Sequence, residues 1–339
     1  MKNLRKSMQV KYQNVDEILY DTEALLDHSG VQQDKWTKTL SSPIMFELSD
    51  PMARFSCIPK LREFSTANAI SESLYLLSGM NGYDLVKEFR FQEGSKGNEK
   101  YRLDKGALGP PLRFLGQKNF EILGHQEANS LRRTASGYTD QLAEAVEILT
   151  KKNKSPVKAV IQFASIQNPL LVHSAWFYSF HGKLEMMVSA EIVDNPLQLY
   201  HDILSPFAFL HQIVSELTDI PLGGSRFIIG CLYSSAFTTP FKITKAPTVD
   251  MYNFRYPNGK LHLRDIDTLI SIMVEFVSRL DENTLNRANP FEGDNRVQMW
   301  SDYAEVFRSW KAKKLEIEIT MRQNFFHPQL RFIYKGEAV

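Results

Sequence analysis

The chain has 339 residues, 43% hydrophobic and 23% charged, which suits a globular protein with a substantial core. Its 40 basic and 39 acidic residues nearly cancel, which excludes the strongly basic surface of a nucleic-acid-binding protein. Its two cysteines, Cys57 and Cys231, exclude a disulfide framework and a cysteine-based zinc site. The N-terminus lacks the apolar core of a signal peptide. No stretch approaches the roughly 20 apolar residues of a membrane helix, so we expect a cytoplasmic protein with no membrane partner.

Elements in the first half of the chain are predicted from hydrophobic periodicity and from capping residues. A helix is predicted over 14–28 with Asn14 as its cap, and a strand over 43–48. A second helix is predicted over 66–79, capped by Thr66 and ended by Gly79. Residues 91–137 are rich in Gly, Lys, Arg and Asn and favour loops. An amphipathic helix follows over 139–153.

Strands dominate the middle of the chain. Three are predicted at 157–164, 171–180 and 183–193, with the pair His181-Gly182 forming the turn of a hairpin between the last two. The remaining predictions are a helix over 207–217, a strand over 226–234 and helices over 264–281 and 296–312. Helices interleaved with strands, without a linker between them, favour one α+β domain over residues 1–339.

Several short motifs occur in a consistent order. They are ISESLYLLSGMN with Glu72, KGALGPPLRF, TDQLAEAVEIL at 139–149, LVHSAW with His173, the spacing from Asp194 through Asp202 to His211, and a tail with His327-Pro328 that ends in Val339. Together they resemble the thymidylate synthases and the related pyrimidine hydroxymethylases. The resemblance implies that family's α+β fold, with a large mixed sheet flanked by helices and one sheet face buried in a homodimer. It also implies that the tail, 325–339, closes over bound ligands, and that 238–314 elaborates the domain.

The resemblance places Val172 where the family has its catalytic cysteine. That cysteine adds as a thiolate to C6 of the pyrimidine and makes C5 enamine-like, and valine has no lone pair with which to do so. The remaining roles carry over by position. They are Glu72, His173 and Asp202 for catalysis; Asp194 and Val339 for binding 5,10-methylenetetrahydrofolate; and Asp202, Lys35, Arg62 and His211 for binding the substrate. No metal site is expected.

The family's phosphate-binding arginines have largely been replaced. Glu191 stands near the position of one arginine, and Val157-Lys158 stands in place of an arginine pair. The expected substrate is therefore pyrimidine-like or otherwise electron-rich, and without a phosphate. Asp202 matches the position that is Asn in uracil-specific members and Asp in cytosine-specific ones, and a carboxylate suits an amino-bearing edge.

Structural interpretations of the same residues stay open. Asp202 could open the following helix, with Ser205-Pro206 as its cap and first turn. His173 and His211 are more simply explained as core histidines, and Glu72 is explained equally well as a solvated residue. Three functions follow: a one-carbon transferase that needs no thiolate, a catalytically silent homologue that binds a ligand or acts as a scaffold, and a conventional enzyme that uses Cys231.

Overall fold

A computed structural model describes most of the chain outside its long loops. The described residues are 10–34, 37–40, 42–58, 62–79, 108–116, 137–151, 157–163, 171–193, 195–235, 261–286, 288–319 and 325–335. In this part of the chain, no helix is long and apolar enough to cross a membrane.

The strands form one mixed, 8-stranded open sheet. They are β1 Val10–Tyr12, β2 Val31–Gln32, β3 Thr37–Leu40, β4 Ile44–Leu48, β5 Lys158–Gln162, β6 Val172–Phe180, β7 Lys183–Val193 and β8 Leu222–Ser235. Their order along the main path is β1-β4-β8-β7-β6-β5, with β3 pairing β8 and β2 pairing β3. The pairs β1–β4 and β7–β8 are parallel and the others antiparallel, which makes the sheet mixed.

Helices flank this sheet. They are α1 Val15–Ser29, α2 Arg62–Ser78, α3 Gly109–Arg113, α4 Gln141–Thr150, a short turn Pro196–Gln198, the π-helix Leu199–Leu204, α5 Ser205–Thr218, α6 Leu263–Ser278, a 3₁₀ turn Asn295–Val297, α7 Gln298–Lys314 and α8 Pro328–Lys335. A single cluster of buried apolar residues extends from Tyr12 to Ile333 through both sheet and helices. The predicted α+β class, with a large mixed sheet flanked by helices, is confirmed.

Local signals explain where several elements begin and end. The side chain of Asn14 accepts a hydrogen bond from the backbone N–H of Glu17, and Asp140 caps α4 in the same way. His181 (φ 49°) and Gly182 (φ 75°) both adopt positive φ in the turn between β6 and β7, as a two-residue hairpin turn requires. The predicted cap at Asn14 and the predicted hairpin turn are confirmed, and the cap at Asp140 was not predicted.

The start of α2 differs from the sequence prediction. This helix begins at Arg62 rather than Thr66, so Thr66 is an interior residue and fully buried, not a cap. Its end is as predicted, because Gly79 adopts φ 73° and a side chain there would collide with Arg113 and Phe114.

The two faces of the sheet have different environments. Alternate residues such as Ala159, Phe177 and Val188 are buried, and helices α4 and α5 pack against the sheet. The intervening residues, including Val160 and Trp176, are exposed or partly buried on the opposite face. This alternation is typical of a sheet with only one face against the core.

A buried ion cluster joins three helices. Arg113, 1% exposed at the end of α3, contacts Asp140 through Nε (3.0 Å to Oδ2) and Asp267 of α6 through Nη1 (2.9 Å to Oδ1). A second bond from Nη2 to Asp267 Oδ2, 3.3 Å, makes that contact bidentate. Burial alone would lower the pKa of Arg113, but the two carboxylates raise it overall.

Residues Pro51–Ile58, which we call the buried segment, form no helix or strand although every residue is buried. One group that holds it is the carboxylate of Asp16, in the first turn of α1. It accepts hydrogen bonds from Ser56 Oγ (2.6 Å) and from the Cys57 backbone N–H (2.9 Å). Burial raises the pKa of Asp16 to about 7, although both hydrogen bonds oppose that shift.

This raised pKa predicts a pH-dependent stability. Folding favours the neutral form of Asp16, so its stabilising contribution is complete below the ordinary pKa of 3.8 and is lost as the pH rises through about 7. Asp16→Asn removes this titration. The unfolding free energy, measured by urea denaturation, should therefore fall less in the variant than in the wild type between about pH 5 and about pH 8.

A matched control is Asp219→Asn, because Asp219 is exposed and asparagine also tolerates its left-handed conformation, φ 58°. This variant should keep the wild-type pH dependence. An Asp16→Asn curve parallel to that of the wild type would show that Asp16 stays ionised in the folded chain.

Candidate active site

The position expected for a nucleophile lies in the core. Val172 begins β6, is fully buried and pairs with Ala190 of β7. Its side chain carries no group that can attack carbon. Cys57 is buried within the segment held by Asp16, and Cys231 is partly buried in β8, where it pairs with Ile192.

His173 follows at an irregularity in the sheet. The pairing of β6 with β7 shifts between Val172 and Ser174, so His173 occupies a β-bulge, a feature that re-aims side chains next to active sites. Its side chain is 47% exposed and lies 3.5 Å, from Nε2 to Oε2, from Glu191. The expectation that His173 is a core histidine is therefore wrong, and the bulge is the reason, because it turns this residue out of the core-facing alternation.

His211 is a core residue. It is fully buried in α5, with Nδ1 2.8 Å from Ser225 Oγ and Nε2 2.8 Å from the Leu184 carbonyl oxygen. Burial lowers its pKa to about 3, so the ring is neutral. Since a carbonyl only accepts, Nε2 carries the hydrogen and Nδ1 accepts from the serine hydroxyl. Both ring nitrogens are engaged, which favours the structural interpretation and ties α5 to β7 and β8.

Asp202 lies in the six-residue π-helix. The helical run begins earlier, at Asn195, whose side chain accepts from the Gln198 N–H at 2.8 Å, and it continues without interruption into α5. The interpretation that Asp202 opens a helix capped by Ser205 is therefore wrong. Ser205 is inside the run, and its N–H bonds to the carbonyl of Tyr200, five residues back.

Pro206 explains the π-helix. Proline has no N–H, and its ring clashes with the carbonyl four residues earlier, which here belongs to Asp202. The wider π turn accommodates the proline without breaking the helix. Such turns are rare and frequently occur at functional sites. The irregularity therefore falls on the residue to which the resemblance assigns contact with the edge of the substrate ring.

Glu72 lies in the middle of α2 and is 5% exposed, so the interpretation of Glu72 as a solvated residue is wrong. Helix α2 packs directly against the π-helix and against α5. The fold therefore brings the helix of Glu72 and the turn of Asp202 together. Glu72 is buried and Asp202 is partly exposed on these two contacting elements, and such a difference in environment suits proton transfer by one carboxylate and ligand contact by the other.

The other predicted site residues lie at or beyond the edge of the described residues. Asp194, Lys35 and Val339 fall outside them, and only the backbone of Arg62 is described. Among the described residues, no group of His, Cys, Asp and Glu side chains could hold a metal ion.

Described arginines near the core are engaged with protein groups. Arg113 pairs with two aspartates, and Arg226 pairs with Glu47 at 3.0 Å. Arg54 is fully buried, donates to Tyr303 at 2.6 Å and lies over the ring of Phe209. The guanidinium groups of these three arginines are therefore already occupied by protein groups.

The sequence interpretation missed the contact between Tyr200 and the buried segment. The hydroxyl of Tyr200 accepts the backbone N–H of Ser56 at 3.1 Å, and Tyr200 is fully buried two residues before Asp202. The only signal in the sequence was a tyrosine within an apolar helical pattern, which ordinarily indicates core packing.

Comparison of the sequence with known protein families and with curated proteins gives no match.

The buried Val172 predicts that incubation with 5-fluoro-deoxyuridylate and methylenetetrahydrofolate yields no covalent adduct, because that adduct needs a thiolate attack at C6. Denaturing mass spectrometry of the intact chain would measure this. An adduct that disappears in the Cys231→Ser variant would instead identify Cys231 as a nucleophile.

Proposed function

We propose that the chain is an atypical folate-dependent one-carbon transferase with the thymidylate synthase fold. Its substrate is pyrimidine-like or otherwise electron-rich and carries no phosphate. The observation that carries the proposal is the packing of the helix of Glu72 against the π-helix of Asp202. This arrangement puts two carboxylates, one buried and one partly exposed, on elements that contact each other.

The chemistry assigned to the chain's residues needs no covalent enzyme intermediate. A substrate with enamine or enol character provides its own nucleophilic carbon, so the loss of a thiolate at residue 172 is tolerable. Asp202 orients the substrate by accepting from an amino-bearing edge. Glu72 takes the proton that leaves the reacting carbon once its new carbon–carbon bond has formed.

The one-carbon donor rests on the sequence resemblance. By that resemblance, 5,10-methylenetetrahydrofolate supplies the carbon, with Asp194 and Val339 against it. Both residues lie outside the described part of the chain, so binding of this donor is the first measurement to make.

The negative charge of Glu191 supports a substrate without a phosphate. Glu191 stands near an arginine position of the family and lies beside His173, 3.5 Å away. A carboxylate there repels a phosphate dianion, whereas a guanidinium would bind it in a bidentate manner. At the positions of the family's arginine pair, Val157 and Lys158 keep only one of the two positive charges.

A catalytically silent homologue is the alternative. Its support is the engagement of His211 by Ser225 and Leu184, which removes one polar group from the site. A silent protein that binds a ligand would still titrate with pyrimidines. It would produce no modified pyrimidine when the donor is added.

Calorimetry and turnover together separate these functions. Purified chain is titrated with methylenetetrahydrofolate and with unphosphorylated cytosine and uracil nucleosides, and the products are analysed by mass spectrometry. Binding of donor and nucleoside with transfer of one carbon supports the enzyme. Binding of a nucleoside without transfer supports the silent homologue. Binding of neither ligand contradicts the enzyme and the ligand-binding form of the silent homologue, and leaves only a scaffold.

Asp202→Asn tests how the substrate is read. If Asp202 accepts a hydrogen bond from an amino group, the asparagine variant should lose about 1–3 kcal/mol of affinity for the amino-bearing nucleoside. The reason is that the NH₂ group of the asparagine would face the amino group of the ligand, and both are hydrogen-bond donors. The same variant should bind the uracil-like nucleoside more tightly. Calorimetry with both ligands measures the change in preference, and thermal melting controls for folding. Unchanged preference with an unchanged melt would make Asp202 a structural residue.

The open sheet face supports a homodimer. Its central row runs across the strands through Val160, Trp176, Met187, Arg226 and Glu47. The half of this row on β5–β7 is apolar. Arg226 is already paired with Glu47 and Glu185. The charged half of the row can therefore be buried in an interface without leaving an unpaired charge. Such a face suits burial against a second copy of the chain.

The dimer predicts a selective effect of charge on this face. Val160 is 44% exposed on β5, and Ile148 is 40% exposed on α4, away from the sheet face. Val160→Glu should convert a dimer to a monomer at micromolar concentration, because a carboxylate would be buried without a partner. Ile148→Glu, the matched control, should stay dimeric in sedimentation. A monomeric wild type would remove the dimer from the proposal.

A further inference from the structure

The buried segment, Pro51–Ile58, obtains its backbone hydrogen bonds from distant side chains. Phe55 N–H donates to Gln329 Oε1 of α8 (3.0 Å), Ser56 N–H to Tyr200 of the π-helix (3.1 Å) and Cys57 N–H to Asp16 of α1 (2.9 Å). Three consecutive residues are therefore fixed by three different elements. Because these donors are buried, loss of any acceptor leaves an unsatisfied group, and the segment responds to all three elements together.

The bond to Tyr200 depends on the register of the π-helix. Each residue of a helix is rotated by about 100° from the one before it. If the π turn were replaced by an α turn, the preceding residues would rotate about the helix axis by the angle of one residue relative to α5. The Tyr200 hydroxyl would then move away from the Ser56 N–H. The same rotation would turn the Asp202 side chain to another direction. The Ser56–Tyr200 bond therefore holds these residues in the register that Pro206 also favours, and its loss would loosen both Tyr200 and Asp202.

The bond to Gln329 depends on how α8 docks. Asp302 of α7 accepts the backbone N–H groups of Phe326 (3.0 Å) and His327 (2.8 Å), which holds the start of α8. His327 in turn donates from Nε2 to the Met52 carbonyl (3.0 Å), and its ring packs against Phe55 with centroids 5.0 Å apart. Docking of α8 thus fixes the buried segment at Met52 and at Phe55.

We propose that the buried segment transmits the docking of α8 to the π-helix and so sets the direction of Asp202. Tyr200 and Gln329 are positioning residues in this scheme. The hydrogen bond of Gln329 goes to Phe55 of the buried segment and not to the π-helix. The consequence for ligand binding rests on the proposed function. The mechanical coupling between α8 and the π-helix does not depend on it.

Hydrogen exchange of the 339-residue chain tests the coupling. Tyr200→Phe removes only the hydroxyl, and Gln329→Met keeps the length of the side chain but removes the acceptor for Phe55. Amide exchange over residues 199–204, measured by mass spectrometry, should accelerate in both variants by about three- to tenfold, the range expected from one lost hydrogen bond. Gln329→Met is the more informative variant, because the hydrogen bond that it removes ends on Phe55 of the buried segment and not on the π-helix.

Gln141→Met is the matched control. Gln141 Oε1 accepts the backbone N–H of Gln162 at 2.9 Å, so this variant also removes a backbone acceptor from a buried glutamine, but on α4 and β5. This variant should lower the free energy of unfolding of the whole chain. Amide exchange over residues 199–204 should then accelerate only as much as that general loss of stability predicts. Equal exchange over 199–204 in Gln329→Met and in this control, at matched stability, overturns the coupling.

Ligand titration separates the two proposals. If the wild type binds neither donor nor nucleoside while Gln329→Met still accelerates exchange in the π-helix, the coupling stands and the proposed function falls. If the wild type binds and Gln329→Met changes its preference between cytosine and uracil nucleosides as Asp202→Asn does, both stand. If Gln329→Met leaves both exchange and preference unchanged, the coupling fails and the function survives.

Discussion

The fold depends on satisfying the backbone donors of a segment that is buried yet has no secondary structure. A buried N–H without an acceptor costs about 1–3 kcal/mol, comparable to a sizeable part of a domain's net stability. Within Pro51–Ile58, the acceptors are side chains of Asp16, Tyr200 and Gln329. The packing of α1, the π-helix and α8 is therefore coupled, because side chains from all three bind the backbone of the same segment in the core.

Much of the fold follows from local patterns in the sequence. The caps Asn14 and Asp140 and the His181-Gly182 turn act through neighbouring residues alone, so the sequence is sufficient to predict them. The start of α2 was placed four residues late because Thr66 has the chemistry of a cap, although here its side chain is buried. Burial of Thr66 depends on residues distant in the chain, which periodicity does not reveal.

The candidate site was predictable only in part, for a similar reason. The interpretation of Val172 and Glu191 rests on the resemblance of short motifs and stays a prediction. The exposure of His173 follows from a shift in strand pairing, and the place of Asp202 follows from a helix that passes through Pro206 by widening its turn. A proline after a serine ordinarily indicates a helix start. Only the three-dimensional path shows that the helix had already begun at Asn195.

The ion cluster of Arg113 also constrains how the sequence can vary. Its guanidinium is held by Asp140, on the helix before the central strands, and by Asp267, far along the chain. A version of this protein without α6 would retain a buried guanidinium with half its compensating charge, and loss of one partner of a buried ion pair typically costs several kcal/mol. Residues 113 and 267 can therefore be replaced together by apolar side chains, but neither can be lost alone. Any shortened form that discards α6 must also exchange the arginine.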